Sequence, residues 1–324
     1  MSQAEQMKAL LRAHANDDDD LFYSVALQIA AQSAQRGHSR VATELRDLID
    51  RTKSERIQRD GPTPIGVPKG ELGELLAVSY PQTRLKDMVL GDAVSSVLER
   101  VLREQRQRDK LLNHGFVPAH RLLLTGLPGT GKSMTAAALA HELSLPMLTI
   151  RLDGVMSRYL GESASKLRLI FDEVARRRAV YFFDEFDALG ADRGASNDIG
   201  ETRRILNSFL LFLDEAPAES LLVAATNHVA LLDPALFRRF DAVIPYGYPQ
   251  PEQALSVLRK RLITMDTSEV NWGLVGEAAH GHSHADLVKA AERAAKDVIL
   301  AGEETITTEV MISALDSRGK PDHD

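Results

Sequence analysis

Apolar positions change their rhythm twice along the 324-residue chain. Within residues 1–53 they recur three and four apart, as in Met7, Leu10 and Leu11, then Phe22, Val25 and Ile29, then Val41, Leu45, Leu48 and Ile49. That spacing gathers each set on one helical face and predicts three short helices. Asn16 and the run Asp17–Asp20 suit a helix start, where carboxylates meet the positive end of the dipole. Gly37 closes the second helix and Ser39 can cap the third. From Ser54 to Gly73 prolines and glycines interrupt every period, which predicts a linker; its span is taken as 54–80.

From about Leu85 short continuous apolar runs alternate with helical stretches. RLLLT (Arg121–Thr125), MLTIRL (Met147–Leu152), AVYFF (Ala179–Phe183), LLVAA (Leu221–Ala225) and AVIPY (Ala242–Tyr246) are of this kind. Such runs suit strands buried on both faces of a parallel sheet. After Pro251, which fits a first helical turn, Leu255, Leu258 and Leu262 share one face and a later helix is expected over about His284–Leu300. The chain therefore predicts an α/β fold: an all-α N-terminal domain (1–53), the linker (54–80), a five-stranded parallel-sheet core (81–248) and a helical lid (249–324).

Composition narrows the chemistry. There is no cysteine, which excludes a disulfide framework, a cysteine zinc site and a thiol nucleophile. No run approaches the roughly 18 apolar residues of a membrane helix, and MSQAEQMKALLRAHAN lacks a signal-peptide pattern. A cytoplasmic protein with no membrane partner is expected. With 39 basic and 46 acidic side chains, net −7, the surface is not built as a whole to neutralise phosphate backbones. Basic clusters at Arg103–Lys110 and Arg176–Arg178 read as solvated helix faces, without interleaved aromatic residues for base stacking. Nucleic acid is not the expected partner.

One segment changes the picture. After RLLLT comes GLPGTGKS, Gly126–Ser133, followed by the helical MTAAALAHEL. This is G-x-x-x-x-G-K-[ST] between a strand and a helix, the context that gives the motif meaning. Its glycines let the backbone bend so that successive N–H groups and the helix N-terminus face negative charge. Pro128, Gly129, Thr130, Gly131, Lys132, Ser133 and Met134 are the expected ATP-binding residues, with Lys132 on the β- and γ-phosphates and Ser133 on Mg²⁺. In AVYFFDEFD, Asp184 ends a buried strand where a carboxylate can hold the magnesium shell, and Glu185 is placed to deprotonate the attacking water. ATP hydrolysis to ADP and phosphate is the expected activity.

With these motifs in order, the chain resembles the AAA ATPase family, in its protein-remodelling branch, from about Leu85 to Leu315. The resemblance implies a nucleotide-binding core with a helical lid, assembled as a homohexameric ring. It places Asn227 at the family's sensor position, orienting water against the γ-phosphate, and DPALFRRFD at the arginine-finger segment that reaches a neighbouring subunit. Here Arg238 and Arg239 are adjacent, where the family usually separates its arginines, so which of them reaches the phosphate stays open. SRYLGESASKLRLIF looks like the pore loop, with Tyr159, Leu160 and Gly161 gripping an extended polypeptide.

In GHSHADLVKAAERA the family's second glycine is His284, which puts the usual close approach of this helix start in doubt; Ser283 and Asp286 have capping-box spacing. His280, His282 and His284 read as a structural or solvated cluster rather than a metal site. Neither a second histidine after His141–Leu143 nor a G-x-S-x-G elbow is present, so proteolysis would need a separate partner. Compact bacterial members can be encoded beside a subtilisin-like protease in plasmid-incompatibility or defence loci. The leading expectation is a remodeller or unfoldase that recruits a client or adaptor through residues 1–53. The alternatives are a nucleic-acid-handling ATPase and a slow nucleotide-dependent switch acting on a partner such as a protease.

Overall fold

A computed structural model describes residues 70–156, 162–189 and 199–318, together with 25, 26, 29, 30, 43 and 68. The helices expected in residues 1–53 lie outside the described residues but for those five positions, all of them helical. Two compact units divide the rest: one holds 70–257 with 279–287, the other 258–278 with 288–318.

In chain order the first unit runs α1 (Glu71–Leu75), β1 (Leu76–Ser79), α2 (Asp92–Arg106), α3 (Arg108–Asn113), β2 (Arg121–Gly126), α4 (Lys132–Glu142), β3 (Met147–Ile150), α5 (Leu152–Val155), α6 (Glu162–Arg176), β4 (Val180–Phe183), α7 (Ile199–Glu215), β5 (Leu221–Thr226), α8 (Pro234–Phe237) and β6 (Ala242–Tyr246). Its six strands form one sheet in the order β1-β3-β4-β5-β2-β6. All five expected strands are present and mutually parallel. The sixth, β1, pairs antiparallel with β3 at the edge and, with α1, falls inside the 54–80 stretch expected to be linker.

The continuous apolar runs have the expected cause. Leu122 and Leu124 of β2 face α2 and α4, packing with Leu98, Val101, Leu139 and Ala140. Leu123 faces the other way, toward α6 and α7, where Phe171, Phe183, Phe186 and Phe209 pack ring to ring. With helices on both faces, β4 and β5 are buried at every position. Parallel strands also send every β-to-α turn to one edge of the sheet, and that edge collects the loops after β2, β4 and β5.

After β6 the described chain continues through α9 (Pro251–Arg261), β7 (Asp266–Glu269), α10 (Trp272–Ala278), α11 (His284–Ala301), β8 (Thr305–Thr307) and α12 (Thr308–Asp316), the second unit taking α9 from Leu258 and α11 from Val288. Leu258, Leu262, Val275, Ala291, Ile306 and Leu315 are buried there. The segment expected to be wholly helical contains a two-stranded parallel pair, β7 with β8. The Thr308 hydroxyl ties it in, accepting from Asn271 N–H at 2.7 Å and donating to the Glu269 carbonyl at 3.1 Å. Among the described residues no helix is long and apolar enough to cross a membrane.

Candidate active site

The loop after β2 is shaped by contacts that only glycine permits. At Gly126, with φ 140°, an added Cβ would stand 2.0 Å from the Tyr246 carbonyl oxygen. At Gly129, with φ 73°, it would stand 2.6 Å from Ser283 Oγ, and the Gly129 carbonyl accepts from Ala285 N–H at 3.0 Å. The start of α11 thus lies directly on the glycine loop, and the histidine in place of the family's second glycine does not keep it away. His284 turns aside instead, donating from Nε2 to the Val89 carbonyl at 3.1 Å. Ser283 and Asp286 are bonded as their capping-box spacing predicts: Asp286 N–H donates to Ser283 Oγ at 3.2 Å, and the Ser283 hydroxyl donates to the Asp286 carboxylate at 2.6 Å.

Helix α4 opens at Lys132, and its first backbone bond runs from Thr135 N–H to the Gly131 carbonyl. The N–H groups of its first turn have no partner within the helix and carry the positive end of its dipole. Lys132 is 6% exposed, and its ammonium donates to the Gly126 and Leu127 carbonyls at 2.6 and 2.8 Å. Burial lowers its pKa overall, with Asp184 and Asp187 acting in the opposite direction.

The next strand end brings the acids. The Ser133 hydroxyl donates to Asp184 Oδ2 at 3.0 Å, joining residues from the starts of α4 and of the turn after β4. Glu185 is exposed and left-handed, φ 50°, a conformation costing a non-glycine residue about 1–2 kcal/mol. Two bonds hold it there: its N–H donates to Asp184 Oδ1 at 3.0 Å, and its carbonyl accepts from Ala188 N–H at 2.8 Å. Asn227 is half-buried just past β5. It follows Thr226, whose hydroxyl donates to Asp187 Oδ1 at 2.8 Å. Sequence reasoning passed over Asp187 and Thr226, and nothing in either residue's neighbours marks the pair.

These residues fit a nucleoside triphosphate with a divalent cation. A buried ammonium, a helix N-terminus and a loop whose glycines cannot be filled provide for phosphate oxygens. The Ser133 hydroxyl and Asp184 carboxylate provide oxygen donors of the hard kind magnesium takes. Pro128, Thr130 and Met134 belong to the same loop and helix start, with Thr130 Oγ1 donating to the Leu127 carbonyl at 2.8 Å.

Arg238 and Arg239 stand elsewhere. They precede the N-terminal end of β6, whose register with β2 pairs Leu122 with Ala242 and Gly126 with Tyr246. The sheet end they occupy is opposite to the one carrying the glycine loop. Arg239 is ion-paired to Asp214, which Arg121 also approaches at 3.8 Å. Arg121 and the N–H groups of His120 and Arg121 bind Asp241 in turn. Burial would raise the Asp241 carboxyl; these bonds outweigh it and hold it below the usual carboxylate range. Arg238 is exposed. Tyr159, Leu160 and Gly161 lie outside the described residues.

A six-stranded, mostly parallel sheet with a glycine loop, a buried lysine and an acidic strand end defines a phosphate-loop nucleotide hydrolase. Residues 122–248 match the ATPase family associated with various cellular activities (AAA). An AAA family ATPase of Sinorhizobium fredii, y4kL, is 32% identical over 304 residues, covering 93% of this chain and 90% of that protein. The proteasome-activating nucleotidase of Methanoregula boonei is 32% identical over 250 residues, covering 74% of this chain, which spans only 57% of that relative. A crystal structure of the FIGL-1 AAA domain superposes with TM-score 0.62 at 24% identity, covering 78% of this chain and 88% of that one. The chain belongs to the AAA ATPase family and hydrolyses ATP.

Proposed function

We propose that this protein is a cytoplasmic, ring-forming protein remodeller whose hydrolytic site is completed by a second copy of the chain. The observation that carries this reading is the separation of the arginines from the glycine loop. Five residue steps along β2 divide Arg121, beside the arginine cluster, from Gly126, which is roughly 16 Å of strand. An arginine at that end cannot serve the phosphates of its own chain. Arg239 is held by Asp214, so Arg238 is the one that reaches a neighbour.

In this mechanism the N–H groups of Gly129 to Met134 and the Lys132 ammonium hold the phosphate oxygens, and Ser133 and Asp184 hold magnesium. Magnesium, when bound, offsets phosphate charge. The Glu185 carboxylate accepts a proton from the attacking water, and Asn227 orients that water. Arg238 from the adjacent subunit stabilises charge developing on the transferred group, an effect worth about 10³–10⁵ in rate where it has been measured. Tyr159, Leu160 and Gly161 engage the polypeptide. Residues 1–53 recruit a client or adaptor. The name of the Methanoregula boonei relative, a proteasome-activating nucleotidase, favours a protein client and a separate proteolytic partner over nucleic acid.

Mixing two inactive variants tests the shared site. Glu185→Gln keeps Arg238, and Arg238→Ala keeps Glu185; combined, they should regain a substantial fraction of wild-type turnover. Turnover no higher than that of the separate variants would refute a site built from two chains. Remodelling is tested separately with Tyr159→Ala, which should leave ATP turnover within a few-fold and abolish unfolding of an added client. Retained unfolding would remove the grip from the mechanism.

A further inference from the structure

The two basic clusters that read as separate solvated helix faces meet in space. Arg106 and Arg108, from the end of α2 and the start of α3, and Arg178, just before β4, line one concavity of about 340 Å³ with Gln105 and Ser144. It lies at the sheet end opposite the glycine loop, below the C-terminus of α4 and the N-terminal end of β4.

The cations are only partly compensated by the chain. Arg106 donates to the Glu142 carbonyl and carboxylate at 2.9 and 2.8 Å, capping α4. Arg108 Nε pairs with Asp109 at 3.1 Å, yet its Nη1 is buried without a hydrogen-bond partner. Arg178 spends Nε on the Glu219 carbonyl at 3.2 Å, a neutral acceptor. Burial and then Arg108 lower its pKa while Asp109 and Glu219 raise it, so the two guanidinium groups repel one another with carboxylates nearby. Gln105 is 1% exposed; its Nε2 is fixed by the Ala119 carbonyl at 2.8 Å, and its Oε1 is buried and unpaired. Ser144, at φ 52°, is a left-handed non-glycine residue. It closes α4 by donating its N–H to the His141 carbonyl.

We infer that this cavity binds a phosphoryl group between Arg108 and Arg178. Two planar guanidinium groups from different elements suit a tetrahedral anion, which offers several acceptor oxygens and can meet the unpartnered Arg108 Nη1 together with the Arg178 fork. The rim carboxylates of Asp109 and Glu142 disfavour an extended polyanion and select a compact one. Nothing aromatic lines the cavity to hold a base. The group can come from two sources, free phosphate or a phosphorylated serine side chain.

Isothermal calorimetry on the full chain, saturated with Mg·ADP so that the glycine loop is filled, tests the site. Inorganic phosphate and O-phosphoserine are titrated separately, each against chloride at matched ionic strength. Saturable heat is expected from at least one. A response to both assigns recognition to the phosphoryl group; a response to one alone names its source. Arg178→Gln should weaken binding at least tenfold, with Arg178→Lys in between because the charge stays and the fork is lost. Arg178 is exposed, so both variants should fold, as circular dichroism would verify. No heat above chloride from either ligand, or undiminished binding by Arg178→Gln, overturns the proposal. Arginine-dependent binding of single-stranded DNA tighter than of either small ligand also overturns it.

Discussion

At His284 a single side chain links packing to pH. Its Nε2–H is committed to the Val89 carbonyl and its Nδ1 is buried without a partner, so a second ring proton would have nowhere to go. Burial lowers its pKa from 6.5, and the Val89 bond only partly opposes this. In the unfolded chain the same histidine takes up a proton near its ordinary value. The unfolded state therefore binds more protons once the pH falls below about 6.5, and stability declines from there down to the folded-state value. His284→Gln keeps a donor for Val89 and does not titrate. Urea unfolding from pH 7.5 to 5 should show a flatter dependence in the variant; parallel curves would mean that His284 does not titrate in the window. The sequence showed that a histidine replaces glycine here, but not that it would swing to Val89, 195 residues away in the chain.

Among elements, α4 and β6 are coupled by one buried bond. Thr135 Oγ1 and Tyr246 Oη lie 2.6 Å apart, and burial pushes the Tyr246 phenol up to about 12 despite that bond, so it stays neutral. The two partners should respond unequally to removal. Tyr246→Phe leaves Thr135 its other bond, to the Gly131 carbonyl at 3.1 Å, and should cost about 1 kcal/mol. Thr135→Val strands a buried phenol and should cost about 2–3 kcal/mol. Urea midpoints measured at constant slope would check the order. Helix α4 was legible from its alanine-rich run and the loop before it. Its tie to β6 was not, because neither Thr135 nor Tyr246 carries a local sign of the other.

At the scale of the whole molecule, opposite ends of one sheet carry the glycine loop and the arginines. Turnover should then depend on association: specific activity is expected to fall on dilution in step with the loss of oligomer seen by light scattering. Constant activity in a dilute monomer would require all the catalytic groups to lie on one chain.

By itself the sequence determined what rests on local rules. Continuous apolar runs marked the five parallel strands, because a strand covered on both faces buries side chains that point either way. The glycine loop was legible because its glycines, lysine and serine are consecutive and its chemistry is made by the local backbone. Tertiary structure decided whatever depends on distant partners. Edge strand β1 exists through β3, and β7 through β8, and neither short segment shows a period of its own. Arg239, unlike its neighbour in sequence, is ion-paired to Asp214. The basic clusters at Arg103–Lys110 and Arg176–Arg178 looked like separate solvated faces until α3 and β4 placed Arg108 beside Arg178. Apolar periodicity encodes which face of an element is buried; it holds no information about which charged side chains the packed elements bring together.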